Sequence, residues 1–118
     1  PVGLGTAQAV QANGDAWVIG VDADWTLTAP EYEDIILTSV LKLIDNAVFD
    51  TIDVASSDDF QGFQGDNYVG TLENEGVGLA DVADGAVDQA VLDELDTIRQ
   101  GIIDGDIDTG WDAYMAAQ

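Results

Sequence analysis

Two carboxylates and one ammonium are the chemistry this sequence offers. Asp22 and Asp24 close an apolar run, AWVIGV at 16–21, and Lys42 follows twenty residues after Asp22 in IILTSVLK. In open α/β sheets, ligands bind outside the carboxyl ends of strands. A carboxylate placed there accepts from both hydroxyls of a sugar diol, and an ammonium donates to ligand hydroxyls or a base carbonyl. The plainer alternatives are an aspartate that only solvates its turn and a lysine held by Asp45 or Asn46. Trp25, beside the two acids, offers a face for stacking on a planar ligand. Trp17 is expected in the core and Trp111 as a packing anchor. Arg99 is expected in a surface ion pair with Glu94, Asp96 or Asp104.

Other chemistry is excluded or weak. The chain has no Cys and no His. Ser–His and Cys–His nucleophile arrangements and His-based zinc sites are therefore impossible. Asp22 and Asp24 by themselves permit an acid/base pair or a magnesium site, which makes an α/β enzyme one rival reading. A ligand-free acidic structural module is another. DGDIDTGWD, from Asp104, has alternating acids like a calcium loop. The sixth position is Thr109 where that loop needs Gly, and the twelfth is Met115 where it needs a carboxylate, so the match fails. Gly3-Leu4-Gly5 lacks the third glycine and the preceding strand of a dinucleotide fingerprint.

The elements that must position these residues read as alternating helix and strand. LGTAQAVQAN at 4–13 is a short helix, stopped by Gly14. AWVIGV is a strand with the continuous apolar pattern of one buried on both faces. Residues 22–33 are turn-rich around Pro30. From Asp34, either one long helix runs to Ala55, or a short strand over 34–38 precedes a helix capped by Ser39; Ile35, Ile36 and Thr38 favour the strand. The apolar stripe Val40, Leu41, Ile44, Ala47, Val48, Thr51, Ile52 and Ala55 is helical, and puts Lys42 in the first turn if Ser39 is the cap. Residues 56–66 form a loop, 67–73 a strand, and GVGLA a second short strand. A last helix starts at Asp88, carries Val91, Leu95, Ile98 and Ile102 on one side, and stops at Gly105. The tail has no clear period.

With 118 residues and 47% hydrophobic content the chain suits one modest core. It has no unbroken apolar run of about 18 residues, the length a membrane helix needs. The absence of an initial Met suggests processing or excision from something longer. Twenty-four acids against Lys42 and Arg99 give a net charge of −22, which opposes binding to nucleic acid or anionic lipid. The acids are spread along the chain, an even coat that resembles proteins of salt-adapted organisms. Salt shortens the Debye length from about 10 Å at 0.1 M to about 3 Å at 1 M and so relieves self-repulsion.

GLGTAQAVQANGDAWVIGVDADW, IILTSVLKLIDNAVFDTI, YVGTLENEGVGLADV and VDQAVLDELDTIRQGIIDGDI together resemble the C-terminal part of the basic membrane protein family, purine-nucleoside receptor-type substrate-binding lipoproteins of ABC transporters. The resemblance implies part of a type I periplasmic-binding-protein fold: α/β, with parallel sheets flanked by helices and two lobes joined by crossing strands. Residues 1–22 would end one lobe, about 34–80 would cross into the other, and about 86–118 would return with the C-terminal helix. It implies a non-catalytic, cofactor-free protein whose ligand sits between the lobes. Asp22 and Lys42 would hold a nucleoside ribose and Gly3 would line the cleft; Asp24 and Trp25, beside Asp22 in the sequence, are the further candidate ligand-binding residues. Trp25 stands where members of the family often carry Gln. The implied partners are a nucleoside-like small molecule, the transporter permease and the remainder of the binding-protein chain. The implied location is extracytoplasmic, anchored through a lipidated N-terminus absent from these residues. Alone, the segment should leave sheet edges and an apolar face unpaired.

Overall fold

The computed structural model describes residues 2–57 and 67–117, a mixed α/β chain with one small sheet among the described residues. It divides into two compact units, residues 2–86 and residues 87–117.

The first unit opens with helix α1 (Val2–Asn13). Gly14 ends it at φ +79°, a left-handed turn that costs glycine nothing, and its N–H donates back to the Val10 carbonyl at 2.9 Å. Strand β1 (Val18–Asp22) follows, then a single turn of helix α2 (Trp25–Thr28) and a 3₁₀ segment (Pro30–Ile35). Strand β2 (Ile36–Lys42) leads into helix α3 (Ile44–Ser56), and strand β3 (Val77–Leu79) completes the sheet. The strand order is β1-β2-β3, with β1 parallel and β3 antiparallel to β2. The α/β class and helix-flanked sheet are those expected for part of a type I periplasmic-binding-protein fold.

The core is small. Ala7, Val18, Ala29 and Ile36 are its buried apolar residues, joined by buried Thr38 and Ser39. β1 is not buried on both faces as its apolar run predicts. Val18 and Gly20 face inward, while Ile19 and Val21 are 54% and 57% exposed. Val40 on β2 and Leu79 on β3, at 46% and 52%, extend this open apolar surface across the sheet. Trp17, expected in the core, is about half exposed just before it.

The helix after β2 starts later than the Ser39 reading predicts. Pairing with β1 and β3 keeps 36–42 extended, and the Leu43 N–H continues the ladder to the Gly76 carbonyl at 3.0 Å. Lys42 is therefore the last residue of a strand, and Ser39 lies in the middle of that strand. The strand expected over 67–73 does not form. Asn74 closes a turn there: its Oδ1 accepts from the N–H groups of Thr71 (2.8 Å) and Gly76 (3.0 Å), and its Nδ2 donates to the Val69 carbonyl (3.0 Å). Gly70 and Gly76 pack backbone to backbone across that turn. The turn is tied to α3 by Asn46 Nδ2, which donates to the Glu75 carbonyl at 2.8 Å, and by the Tyr68 hydroxyl, which donates to Asp50 Oδ2 at 3.1 Å. Desolvation, then the Asp50 carboxylate, holds the Tyr68 phenol above its ordinary pKa of 10. Most of the loop predicted at 56–66 lies outside the described residues.

The second unit is helix α4 (Gln89–Ile103) followed by the short helix α5 (Trp111–Ala116), which the aperiodic tail does not announce. Asp88 stands at the N-cap as predicted, without a side-chain capping bond, and Gly105 stops the helix at φ +79°. Ile107 packs onto Gly101, and the Trp111 and Tyr114 rings lie 6.1 Å apart. Arg99 is exposed and forms no ion pair among the described residues, contrary to expectation.

Candidate functional site

Because β1 and β2 run parallel, their carboxyl ends share one edge of the sheet. Asp22 is the last residue of β1 and pairs in register with Leu41; Lys42 is the next residue and ends β2. Two residues twenty apart in sequence thus meet at the same sheet edge, both exposed. Lys42 makes no ion pair with Asp45 or any other described residue. The pleat alternates, so Lys42, two residues after Val40, continues the open apolar face. Asp22, two residues after Gly20, would continue the covered one. It leaves the pleat instead: its φ is +75°, one of two left-handed values among described non-glycine residues, with Glu75. Such a conformation costs a non-glycine residue roughly 1–2 kcal/mol, and among these Asp and Asn tolerate it best.

The other three candidates are engaged in holding that edge together. Asp24 Oδ1 caps α2, accepting from the Thr26 N–H at 2.9 Å and from the Thr26 hydroxyl at 2.7 Å. The Trp25 N–H donates to Ser39 Oγ at 3.1 Å, and its indole Nε1–H donates to the Val21 carbonyl at 3.1 Å. A Cβ built on Gly3 would lie 2.7 Å from Trp25 Cη2, and one on Gly20 would lie 2.7 Å from Trp25 Cγ. The indole thus occupies a notch that two glycines leave between α1 and β1. Gly3 and the Trp25 ring are in contact, Asp24 caps the turn that Trp25 begins, and Asp22 and Lys42 end neighbouring strands without an ion pair between them.

Ser39 and Gly20 complete this packing, and neither stands out from the sequence as a site residue. A lone glycine inside an apolar strand pattern signals a close approach of some other group, and Gly20 fits that rule. Ser39 had a competing role as a helix cap, and only the strand pairing reveals it as a fully buried acceptor. Among the described residues no group of three or more acidic side chains is placed to hold a metal ion. A shallow groove of about 570 Å³ along α1, lined by Gly5, Ala9, Val10 and Asp15 among others, includes none of the candidate residues. No described helix is long and apolar enough to cross a membrane.

No family model matches the chain, and no solved structure matches it. It is similar to the CD4+ T-cell-stimulating antigen of Listeria monocytogenes, 38% identical over 97 residues, which is 77% of this chain and 26% of the antigen. The antigen of the same name in Listeria innocua is 37% identical over 97 residues, with the same shares of each chain. The chain therefore spans about a quarter of the length of the curated relatives it matches.

Proposed function

We propose that these residues form the C-terminal portion of an extracytoplasmic, lipid-anchored solute-binding protein of the basic membrane protein family, the receptor of an ABC importer. Its ligand is a purine nucleoside or a close analogue, held between two lobes that close around it. Asp22 accepts the ribose hydroxyls and Lys42 donates to the ligand, while Gly3, Asp24 and Trp25 frame the edge. Residues 1–22 end one lobe, about 34–80 cross to the other, and about 86–118 return; the remainder of the longer chain supplies the rest of the cleft. The closed form docks on the permease, and no bond in the ligand is made or broken.

The observation that carries this reading is the parallel β1–β2 pair, whose shared carboxyl edge presents Asp22 together with a Lys42 that forms no ion pair among the described residues. The open apolar face beside Lys42 supports it, because a surface of this kind is normally covered in the complete protein. Similarity to bacterial antigens about four times the length of the aligned segment supports a longer parent chain.

Calorimetric titration of the full-length protein with purine nucleosides tests the assignment. Lys42→Ala should weaken binding about 10- to 100-fold, the loss expected for one charge-assisted hydrogen bond. Undiminished affinity would remove Lys42 from the site. The acidic coat we assign to a saline environment: with a net charge of −22, raising NaCl from 0.1 to 2 M should raise the melting temperature. An unchanged midpoint would sink that assignment.

A further inference from the structure

The geometry points to Trp25 as the residue that positions Asp22. This inference rests on the proposed role of Asp22 as a ligand-binding carboxylate. Asp22 adopts a left-handed backbone conformation at the end of β1, and an isolated turn would relax from it. What stands against relaxation centres on one residue, Trp25, through both its side chain and its backbone amide. The Trp25 Nε1–H reaches back to the Val21 carbonyl, the peptide that leads into Asp22. The Trp25 N–H reaches across to Ser39 Oγ on β2, the register partner of Gly20. Between these two bonds the indole lies in the notch at Gly3 and Gly20, where neither residue has room for a Cβ. The 22–24 turn is pinned at both ends, to β1 through the indole and to β2 through the amide. The Asp24 cap on Thr26 holds the far side of the same turn.

Trp25 therefore acts through Asp22 and does not serve as the stacking face its position in the sequence suggests. It fixes the direction in which the carboxylate leaves the sheet edge, so binding carries little cost of ordering the turn.

A double-mutant cycle in the full-length protein tests this, with adenosine and guanosine as probes. Trp25→Phe should weaken nucleoside binding about tenfold, the worth of one lost hydrogen bond and its ordering. In an Asp22→Ala background the same substitution should change affinity less than about twofold, since there is no carboxylate left to aim. Equal losses in both backgrounds, or no loss in either, overturn the positioning role. Replacing Trp25 by 3-benzothienylalanine keeps the ring shape without the N–H donor and guards against misfolding; it should reproduce the Trp25→Phe loss, and full retention of affinity overturns the role of the indole bond. A ligand-free measurement separates failure of this inference from failure of the site. Amide hydrogen exchange at residues 22–24 should accelerate about tenfold or more in Trp25→Phe, while α1 and β2 keep their rates. If the parent binds neither nucleoside, the functional reading fails, and exchange alone decides for or against Trp25. Unchanged exchange at 22–24, or equal acceleration throughout, overturns it.

Discussion

The two sides of the β1–β2 pair are built from the same strands and could hardly differ more. On one side Gly20 and Ser39 are register partners roofed by the Trp25 indole, with Ala7, Val18 and Ile36 buried nearby. Its polar atoms are paired: Ser39 takes the Trp25 N–H, and no buried side-chain nitrogen or oxygen among the described residues lacks a partner. On the other side Ile19, Val21, Val40 and Leu79 form an apolar surface about half exposed to solvent. The outer edge of β1 carries no further strand among the described residues. A continuous apolar strand next to a parallel neighbour is the pattern of a sheet meant to be covered on both faces. The covered side shows what this chain accomplishes by itself. The open side marks where the longer protein proposed above would pack, and it is the side that carries Lys42.

The largest expected effect belongs to the covered side. Ile36 is 1% exposed, so Ile36→Ala should cost about 2–5 kcal/mol in urea unfolding of the full-length protein. A cost under about 1 kcal/mol would mean that this side is not a core. The open side gives a smaller and more informative number. Val21→Ala removes two methyl groups, worth about 1.5 kcal/mol if the full-length protein covers them. In the 118-residue chain, where Val21 is exposed, the same substitution should stay within about 0.5 kcal/mol. Equal costs in both contexts would break the comparison, because the face would then be open in the complete protein too.

The same contrast separates what the sequence reveals from what it hides. α1, with its Gly14 stop, and α4, between Asp88 and Gly105, are announced by local signals, and both form as read. The parallel character of β1 is likewise written in AWVIGV. Which face is covered is not, since covering depends on residues that the local pattern does not contain. ILTSVLK satisfies both periods at once: Val40 and Leu41 extend the helical stripe of α3 as well as they alternate in a strand. Pairing with β1 and β3 decides in favour of the strand, moving Lys42 from a helix turn to a sheet edge. NYVGTLE has strand composition, but Gly70 and Asn74 spend its backbone on a closed turn. At the candidate site, Asp22 and Lys42 stand out from the sequence as the charges at element ends. The role of Trp25 is hidden because it depends on two glycines, at 3 and 20, that only the fold brings to one ring.

The smallest effect lies at the junction of the two sides, where Asp24 caps the single turn of α2. Asp24 Oδ1 takes the Thr26 N–H and hydroxyl, so Asp24→Ala should cost about 1 kcal/mol, within the 0.5–2 kcal/mol range of lost N-caps. Asp24→Asn, which keeps an acceptor at that position, should recover most of the loss. The recovery decides between two uses of the acid. A carboxylate needed for its charge, as in a magnesium site or an acid/base pair with Asp22, would not be replaced by an amide, and Asp24→Asn would then lose function while keeping its melting temperature. A capping oxygen is indifferent to that charge. Melting temperature and nucleoside affinity measured together on the two variants therefore show whether the edge holds one functional carboxylate, Asp22, with Asp24 as its support.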